Sequence, residues 1–156
     1  MKKVLVTGGA GFIGAYVCRQ LARAGAQVVV HDLSPLGNVL DALSWSDTPK
    51  DCIRVTGALT DFDGLVTAIQ LHKIDSVVHL GSPLIDEVEK DPRIGLDQIV
   101  RGTCNVFDAA LACGVRRAVW ASSLSVFGRH NGDCLAPIPF ADPSSYFPLW
   151  GGEIPL

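Results

Sequence analysis

The stretch Thr7-Gly8-Gly9-Ala10-Gly11-Phe12-Ile13-Gly14 decides the fold of this 156-residue chain. Residues 3–7 form an apolar run typical of a buried strand, and they lead directly into it. An amphipathic helical pattern follows over residues 12–24, with an inner face of Ile13, Tyr16, Val17, Leu21 and Ala24, and Gly25 marks its end. The glycines fit both GxGxxG and GxxGxxG, motifs that carry weight only between a strand and a helix. The sequence therefore predicts a strand–turn–helix unit of the phosphate-binding kind.

Steric reasons explain three of the four glycines in this turn. A side chain at Gly8 or Gly11 would keep a diphosphate away from the backbone, and Gly14 lets the helix pack tightly on the strand. The start of the helix offers unpaired N–H groups and the positive end of its dipole to the phosphates. We therefore predict that a dinucleotide binds here, the alternative being a glycine-rich turn without a ligand.

An acidic residue follows the second predicted strand. Asp32 lies 18 residues after Gly14, close to the spacing of about 20 expected for the carboxylate that binds the adenosine ribose. A carboxylate at this place accepts hydrogen bonds from the ribose hydroxyls and repels a 2′-phosphate. Asp32 therefore favours NAD over NADP as the cofactor, and a solvated turn aspartate is the alternative.

The rest of the pattern alternates short apolar runs with longer helical periods, which is typical of stacked βαβ units. We predict an α/β fold: a three-layer, doubly wound parallel sheet of Rossmann type with strand order 3-2-1-4-5. Ligands of such sheets bind at the carboxyl ends of the strands, between strands 1 and 4. The later strands are predicted at residues 26–31, 52–56, 76–80 and 117–122. The later helices are predicted around residues 39–45, after a capping box of Thr60 and Asp63, and over residues 93–113.

Composition narrows the possible partners and the cellular location. A net charge of −3 gives no basic footprint for nucleic acid, and no apolar run approaches the roughly 18 residues of a membrane helix. The N-terminus lacks the apolar run of a secretory signal, so we expect a cytoplasmic protein. The five cysteines lack the paired spacing of a disulfide framework or a zinc site, so we expect no metal. Residues 1–128 are predicted to form the dinucleotide-binding domain, and residues 129–156, which hold five of the nine prolines, a loop or tail.

Five segments carry a resemblance to a known family. They are TGGAGFIG (7–14), VVVHD (28–32), VVHLGS (77–82), GTCNVFDAA (102–110) and ASSLSVFG (121–128). In this order and spacing they resemble the NAD-dependent epimerase/dehydratase family of extended short-chain dehydrogenases, many of whose members act on nucleotide sugars. The resemblance covers about residues 1–128, the N-terminal part of such a protein only.

The resemblance implies roles for particular residues. Ser123 matches the serine that hydrogen-bonds the reacting hydroxyl, although it could instead simply cap the end of the fifth strand. His79 lies within a buried strand and is expected to be a core histidine. Leu59 would offer its backbone N–H to the adenine. The remaining cofactor contacts implied are Gly8, Gly11, Phe12, Ile13, Gly14, Asp32, Leu80, Gly81 and Ser82.

Three departures from the family pattern limit what the resemblance implies. Ala58 stands where the family often has an aspartate for the adenine amino group, and Ile99 stands where it often has an asparagine. The largest departure is the missing YxxxK pair, in which the tyrosine is the general base and the lysine lowers its pKa. The tyrosines are Tyr16 and Tyr146, and Lys90 is the last lysine of the sequence. We therefore expect these 156 residues to be inactive or impaired as an enzyme.

Two explanations of the missing pair remain open. The sequence could be the N-terminal part of a longer epimerase or dehydratase that acts on a sugar nucleotide, which we favour because residues 153–156 look like an interruption. Otherwise it is a short, non-catalytic dinucleotide-binding or regulatory module. In both cases the fifth strand, with Ala118, Val119 and Trp120, would lack a neighbour, and such edges pair with other chains. We therefore expect a homo-oligomer.

Overall fold

A computed structural model describes residues 2–33 and 52–123. Residues 1–121 form one compact unit, and residues 122–156 form a second, of which Ser122 and Ser123 are described. The predicted helix at residues 39–45 and the predicted tail at residues 129–156 lie outside the described residues. Within the described ranges, no helix has the length and apolar content that crossing a membrane requires.

The described residues contribute five parallel strands to one sheet, in the order β3-β2-β1-β4-β5. Val6 of the central strand lies opposite Val30 on one side and Val78 on the other. The predicted fold class and strand order are thereby confirmed. The strands are β1 (Lys3–Thr7), β2 (Gln27–Asp32), β3 (Ile53–Thr56), β4 (Ser76–His79) and β5 (Arg117–Trp120).

Helices cover both faces of the sheet and give it two apolar cores. Leu5 and Val29 belong to the core that includes Leu65 and Val106, whereas Cys18 belongs to the core on the opposite face. This alternation makes the described part a three-layer structure. The helices are α1 (Phe12–Arg23), α2 (Phe62–His72), α3 (Ile85–Lys90), α4 (Pro92–Ile94) and α5 (Gly102–Ala112), with a π-helical segment at Gly95–Arg101 between α4 and α5.

The first helix lies unusually close to the strands. A Cβ added to Gly14 would overlap the carbonyl oxygen of Gly8, so only small side chains fit at this contact. The helix accordingly buries Gly14, Ala15 and Cys18, whereas Ile13 and Tyr16, which its apolar periodicity predicts to face inward, are exposed. The predicted inner face of α1 is therefore wrong at Ile13 and Tyr16, because close packing selects small residues there, whereas Leu21 packs against the core as predicted.

The start of α2 also differs from the prediction. Its N-cap is Asp61, whose Oδ1 accepts the backbone N–H of Gly64 at 3.0 Å. The capping box predicted at Thr60 and Asp63 is thus wrong by one residue, since Asp61 is itself a preferred N-cap residue. At the far end of the sheet, all four residues of β5 are exposed, as predicted for an edge strand.

Candidate functional site

A cleft of about 910 Å³ opens at the carboxyl ends of the strands. Its walls come from the loops after β1, β3 and β4 and from the end of β2, the place expected for a ligand in this sheet topology. The structure brings most of the predicted cofactor residues together there: Gly8, Gly11, Asp32, Leu59, Leu80, Gly81 and Ser82. The other three, Phe12, Ile13 and Gly14, belong to the first turn of α1 and do not line the cleft.

The floor of the cleft is a direct approach of two backbones. Gly8 has a φ of +68°, a conformation that favours glycine, and a Cβ added there would lie 2.6 Å from the nitrogen of Gly81. The two loops are held by a hydrogen bond from the Leu80 N–H to the Thr7 carbonyl at 3.0 Å. Because no side chain separates these loops, bare main chain lies open to a ligand.

Gly11 is the N-cap of α1 and lies at the mouth of the cleft. No side chain caps this helix start, so the first N–H groups of α1 have no side-chain partner. A Cβ added to Gly11 would meet only the Gly8 carbonyl oxygen, at 3.4 Å. The fold itself therefore has room for a side chain at Gly11, and the space that glycine leaves is on the cleft side.

Asp32 ends β2 and ties that strand to the glycine-rich turn. Its Oδ2 accepts the backbone N–H of Ala10 at 3.1 Å. A carboxylate offers about four acceptor positions, so it can accept more than one donor at a time. The residue thus stands at the cleft wall in a fixed orientation, as the sequence predicts.

The loop after β3 is anchored by a residue that sequence reasoning missed. The Nδ2 of Asn105 on α5 donates to the Leu59 carbonyl at 3.0 Å. Gly102 packs against the side chain of Leu59, since a Cβ on Gly102 would lie 2.8 Å from the Cβ of Leu59. A polar asparagine within the apolar pattern of GTCNVFDAA was the available signal.

His79 is a buried histidine with both ring nitrogens bonded. Its Nδ1 lies 2.7 Å from the Thr7 hydroxyl and its Nε2 lies 3.1 Å from the Thr103 hydroxyl. Burial lowers the pKa of His79, so the ring is neutral at physiological pH. The expectation of a satisfied core histidine is therefore confirmed.

His31 is a second buried histidine beside the cleft, and its situation is different. Its Nδ1 is buried and has no hydrogen-bond partner in the described part of the chain. Its Nε2 lies beside Gly57, where a Cβ would be 2.7 Å from it. Burial lowers the pKa of His31, and the charges of Asp32 and Asp61 oppose that shift.

The lining of the cleft is mostly apolar, and α3 and the π-helical segment contribute two polar side chains to it, Glu87 and Gln98. The Glu87 carboxylate accepts the Leu84 N–H at 2.9 Å, which uses part of its hydrogen-bonding capacity. Gln98 lines the cleft, whereas the neighbouring Ile99 is 45% exposed and does not. The amide that the family places at position 99 is thus absent, and an amide lies one residue earlier.

Ser123 is described but lies at the limit of the described residues. It is exposed and follows the end of β5 by three residues. Its predicted contact with a reacting hydroxyl stays a prediction.

Comparison with known proteins places this geometry in context. The NAD-dependent epimerase/dehydratase family matches residues 4–148. The chain is 34% identical over 126 residues to a UDP-glucose 4-epimerase of Rhizobium meliloti (strain 1021), which aligns 80% of this chain with 36% of that protein. It is 30% identical over 129 residues to a UDP-glucose 4-epimerase of Klebsiella pneumoniae, with 81% and 92% covered.

Solved structures agree with the fold. The UDP-glucose-4-epimerase of Stenotrophomonas maltophila, with bound NAD and formylated UDP-arabinopyranose, superposes with a TM-score of 0.75 at 28% identity, covering 87% of this chain and 41% of that one. The UDP-glucose 4-epimerase of Thermus thermophilus in complex with NAD gives a TM-score of 0.66 at 30% identity, covering 78% and 37%. The chain thus spans about two fifths of the length of these epimerases.

Proposed function

The chain belongs to the NAD-dependent epimerase/dehydratase family, and we propose that its residues 1–128 bind NAD in the cleft at the carboxyl end of the sheet. The observation that carries this proposal is the bare backbone at Gly8 and Gly81, next to a helix start without a side-chain cap. Unpaired N–H groups and the helix dipole at α1 favour a diphosphate there. The family relationship and the geometry of the turn thus support the same ligand.

The adenosine half of the cofactor fits the other side of the cleft. Asp32 would accept the ribose hydroxyls and would repel a 2′-phosphate, which favours NAD over NADP. The backbone N–H of Leu59 would bind the adenine, because Asn105 holds the carbonyl of the same residue. Ala58 offers no side-chain contact to the adenine amino group, so we expect weaker NAD affinity than an aspartate there would give.

The reaction we propose for the whole enzyme is oxidation and reduction at a secondary alcohol of a nucleotide sugar. NAD would act as the hydride acceptor. Gln98 and Ser82 line the cleft in which we propose that it binds. Ser123 would hydrogen-bond the reacting hydroxyl. The relatives named above are UDP-glucose 4-epimerases, which supports a UDP-sugar as the substrate class.

A second candidate function is a non-catalytic dinucleotide-binding or regulatory module. The observation in its favour is that the sequence contains no YxxxK pair, without which the family's general base is missing. Under both candidates the described cleft binds NAD. We therefore propose that these residues bind the cofactor. Catalysis then needs the tyrosine and lysine of a YxxxK pair, which the 156 residues do not contain.

Calorimetric titration of the chain with NAD and with NADP tests the binding proposal. We expect saturable NAD binding and at least about tenfold weaker NADP binding, because Asp32 repels the extra phosphate. Incubation with NAD and UDP-glucose, followed by assay for the epimerised sugar and for reduced nicotinamide, tests whether catalysis needs the missing tyrosine–lysine pair. We expect binding without turnover under both candidates, so turnover would contradict the need for that pair and no binding of NAD would contradict both candidates. A coding sequence that continues in frame to a Tyr-x-x-x-Lys pair would favour the longer enzyme over the module.

The partner of the edge strand is a further part of the proposal. Val119 and Trp120 are 52% and 55% exposed on β5, which among the described residues has a neighbouring strand on one side only. An open strand edge pairs readily with another chain. We propose that the 156-residue chain, located in the cytoplasm, forms a homo-oligomer through this edge. Light scattering that gives the monomer mass of 16.6 kDa at micromolar concentration would contradict the association.

A further inference from the structure

A series of hydrogen-bonded polar side chains joins β1, β4 and α5 next to the cleft. His79 on β4 contacts Thr7, the last residue of β1, at 2.7 Å and Thr103 on α5 at 3.1 Å. The Thr7 hydroxyl also lies 3.4 Å from the Gly81 nitrogen, which donates to it. Thr7 and His79 are 0% and 3% exposed, so water does not replace these contacts. These hydrogen bonds therefore connect α5 to the two loops that form the cleft floor.

Two proton arrangements satisfy these hydrogen bonds, because each hydroxyl has one proton to donate and can also accept. In one, the Thr7 hydroxyl donates to Nδ1 of His79, and the ring donates its Nε2 proton to Thr103. In the other, Nδ1 donates to Thr7, and the Thr103 hydroxyl donates to Nε2. In both, the Thr7 oxygen also accepts the Gly81 N–H, and Thr103 holds the ring against Thr7.

The hydrogen bonds end at Thr7, next to the place where the two backbones of the cleft floor approach most closely. Thr7 immediately precedes Gly8, and Gly8 is the residue that approaches Gly81 without an intervening side chain. Small changes in the orientation of Thr7 therefore alter the separation of the two loops over which a diphosphate would pass. At the other end, Thr103 follows the π-helical segment that brings Gln98 into the cleft. Neither Thr103 nor His79 lines the cleft itself.

We propose that His79, held by Thr103, is a positioning residue that sets the spacing of the Gly8 and Gly81 loops for the cofactor. This inference rests on the proposed binding of NAD in the cleft. It assigns to a residue outside the cleft an effect on cofactor affinity that exceeds its effect on stability. If His79 merely filled the core, loss of its hydrogen bond to Thr103 would lower the thermal midpoint and leave the dissociation constant for NAD unchanged.

The test replaces Thr103 in the full 156-residue chain and measures both quantities. Thr103→Val keeps the shape but removes the hydroxyl that bonds His79, and Thr103→Ser keeps the hydroxyl. We expect Thr103→Val to weaken NAD binding about 3- to 10-fold by calorimetry, and Thr103→Ser to bind within about 2-fold of the parent chain. Where the valine variant does not fold, Thr103→Ala removes the hydroxyl without adding a methyl group to the site.

Val106→Ala is the matched control, because Val106 is buried on the same helix and makes none of these hydrogen bonds. It should lower the thermal midpoint and leave the NAD affinity unchanged at temperatures where the protein is folded. Unchanged affinity in Thr103→Val or Thr103→Ala, with a lowered midpoint, would overturn the positioning role alone. Absence of NAD binding by the parent chain would instead overturn the proposed function, and this inference with it.

Discussion

The backbone of Gly8 approaches that of Gly81 so closely that a Cβ on Gly8 would lie 2.6 Å from the Gly81 nitrogen and 2.7 Å from its Cα. Two loops that are far apart in sequence thus meet without a side chain between them. The contact places the turn after β1 and the loop after β4 in one surface. Substitution of either glycine therefore disturbs the fold and the cleft together.

Gly8→Ala is expected to destabilise the protein more than a positive φ alone explains. The strain of a left-handed residue costs about 1–2 kcal/mol, and the clash with Gly81 adds to it. Gly25→Ala is the control, since Gly25 has a φ of +79° and nothing within 4 Å of its Cβ position. Urea unfolding should show a larger loss of unfolding free energy for Gly8→Ala, by about 2 kcal/mol or more. Equal losses would mean that the two loops do not meet as described.

Asp32→Asn is expected to change the choice of cofactor. The amide keeps an oxygen that can accept the Ala10 N–H, but it removes the negative charge. Hydrogen bonds to a charged group are roughly twice as strong as neutral ones, so NAD affinity should fall about tenfold. The ratio of NADP to NAD affinity should rise, because the repulsion of the 2′-phosphate is gone. An unchanged ratio in calorimetry would remove Asp32 from the ribose site.

Asn105→Asp tests the anchor of the Leu59 loop. The substitution keeps the size of the side chain and replaces the Nδ2 donor to the Leu59 carbonyl with an acceptor. Because Leu59 then faces a repulsive contact, we expect NAD affinity to fall about 3- to 30-fold. Asn105→Gln, which keeps the donor on a longer stem, serves as the comparison. An affinity for NAD equal to that of the parent chain would show that the Leu59 loop does not need this anchor.

The two buried histidines predict a pH dependence of stability. Burial lowers the pKa of His31 and of His79 in the folded state, so the unfolded chain binds more protons as the pH falls through 6.5. The free energy of unfolding should therefore decrease below pH 6.5, by up to about 1.4 kcal/mol per pH unit for each histidine, and level off below the folded-state pKa values. Urea unfolding of the parent chain and of His79→Gln over this range checks it. The variant should show the shallower slope, and parallel slopes would contradict a neutral His79.

Much of the fold follows from patterns that are local in the sequence. Apolar runs and glycine positions locate the five strands within one or two residues, and right-handed crossovers then give the order of the sheet. The same local patterns predicted the cleft, because the residues after each strand meet at the carboxyl edge. Gly8 and Asp32 were found in this way, whereas Gly81 was implied by the family resemblance.

The misses are features decided by contacts between distant residues. Periodicity placed Ile13 and Tyr16 inside, although the distance between α1 and the sheet, set by Gly14, leaves no room for them. Periodicity also predicted one regular helix over residues 93–113. The structure has a π-helical segment within it, next to Gly102, which packs on Leu59, and Thr103, which bonds His79. These contacts join residues far apart in the sequence, so no local pattern predicts them. Asn105 was missed for the same reason.

Gly11→Val tests the central claim most directly, because the fold tolerates a side chain at this position and a bound diphosphate does not. The Cβ would contact only the Gly8 carbonyl oxygen, at 3.4 Å, and the backbone at φ −72° and ψ 173° is one that valine adopts readily. We expect a thermal midpoint within a few degrees of the parent chain and a loss of NAD affinity of about 100-fold or more in calorimetry. A folded Gly11→Val chain that binds NAD as tightly as the parent would contradict the account.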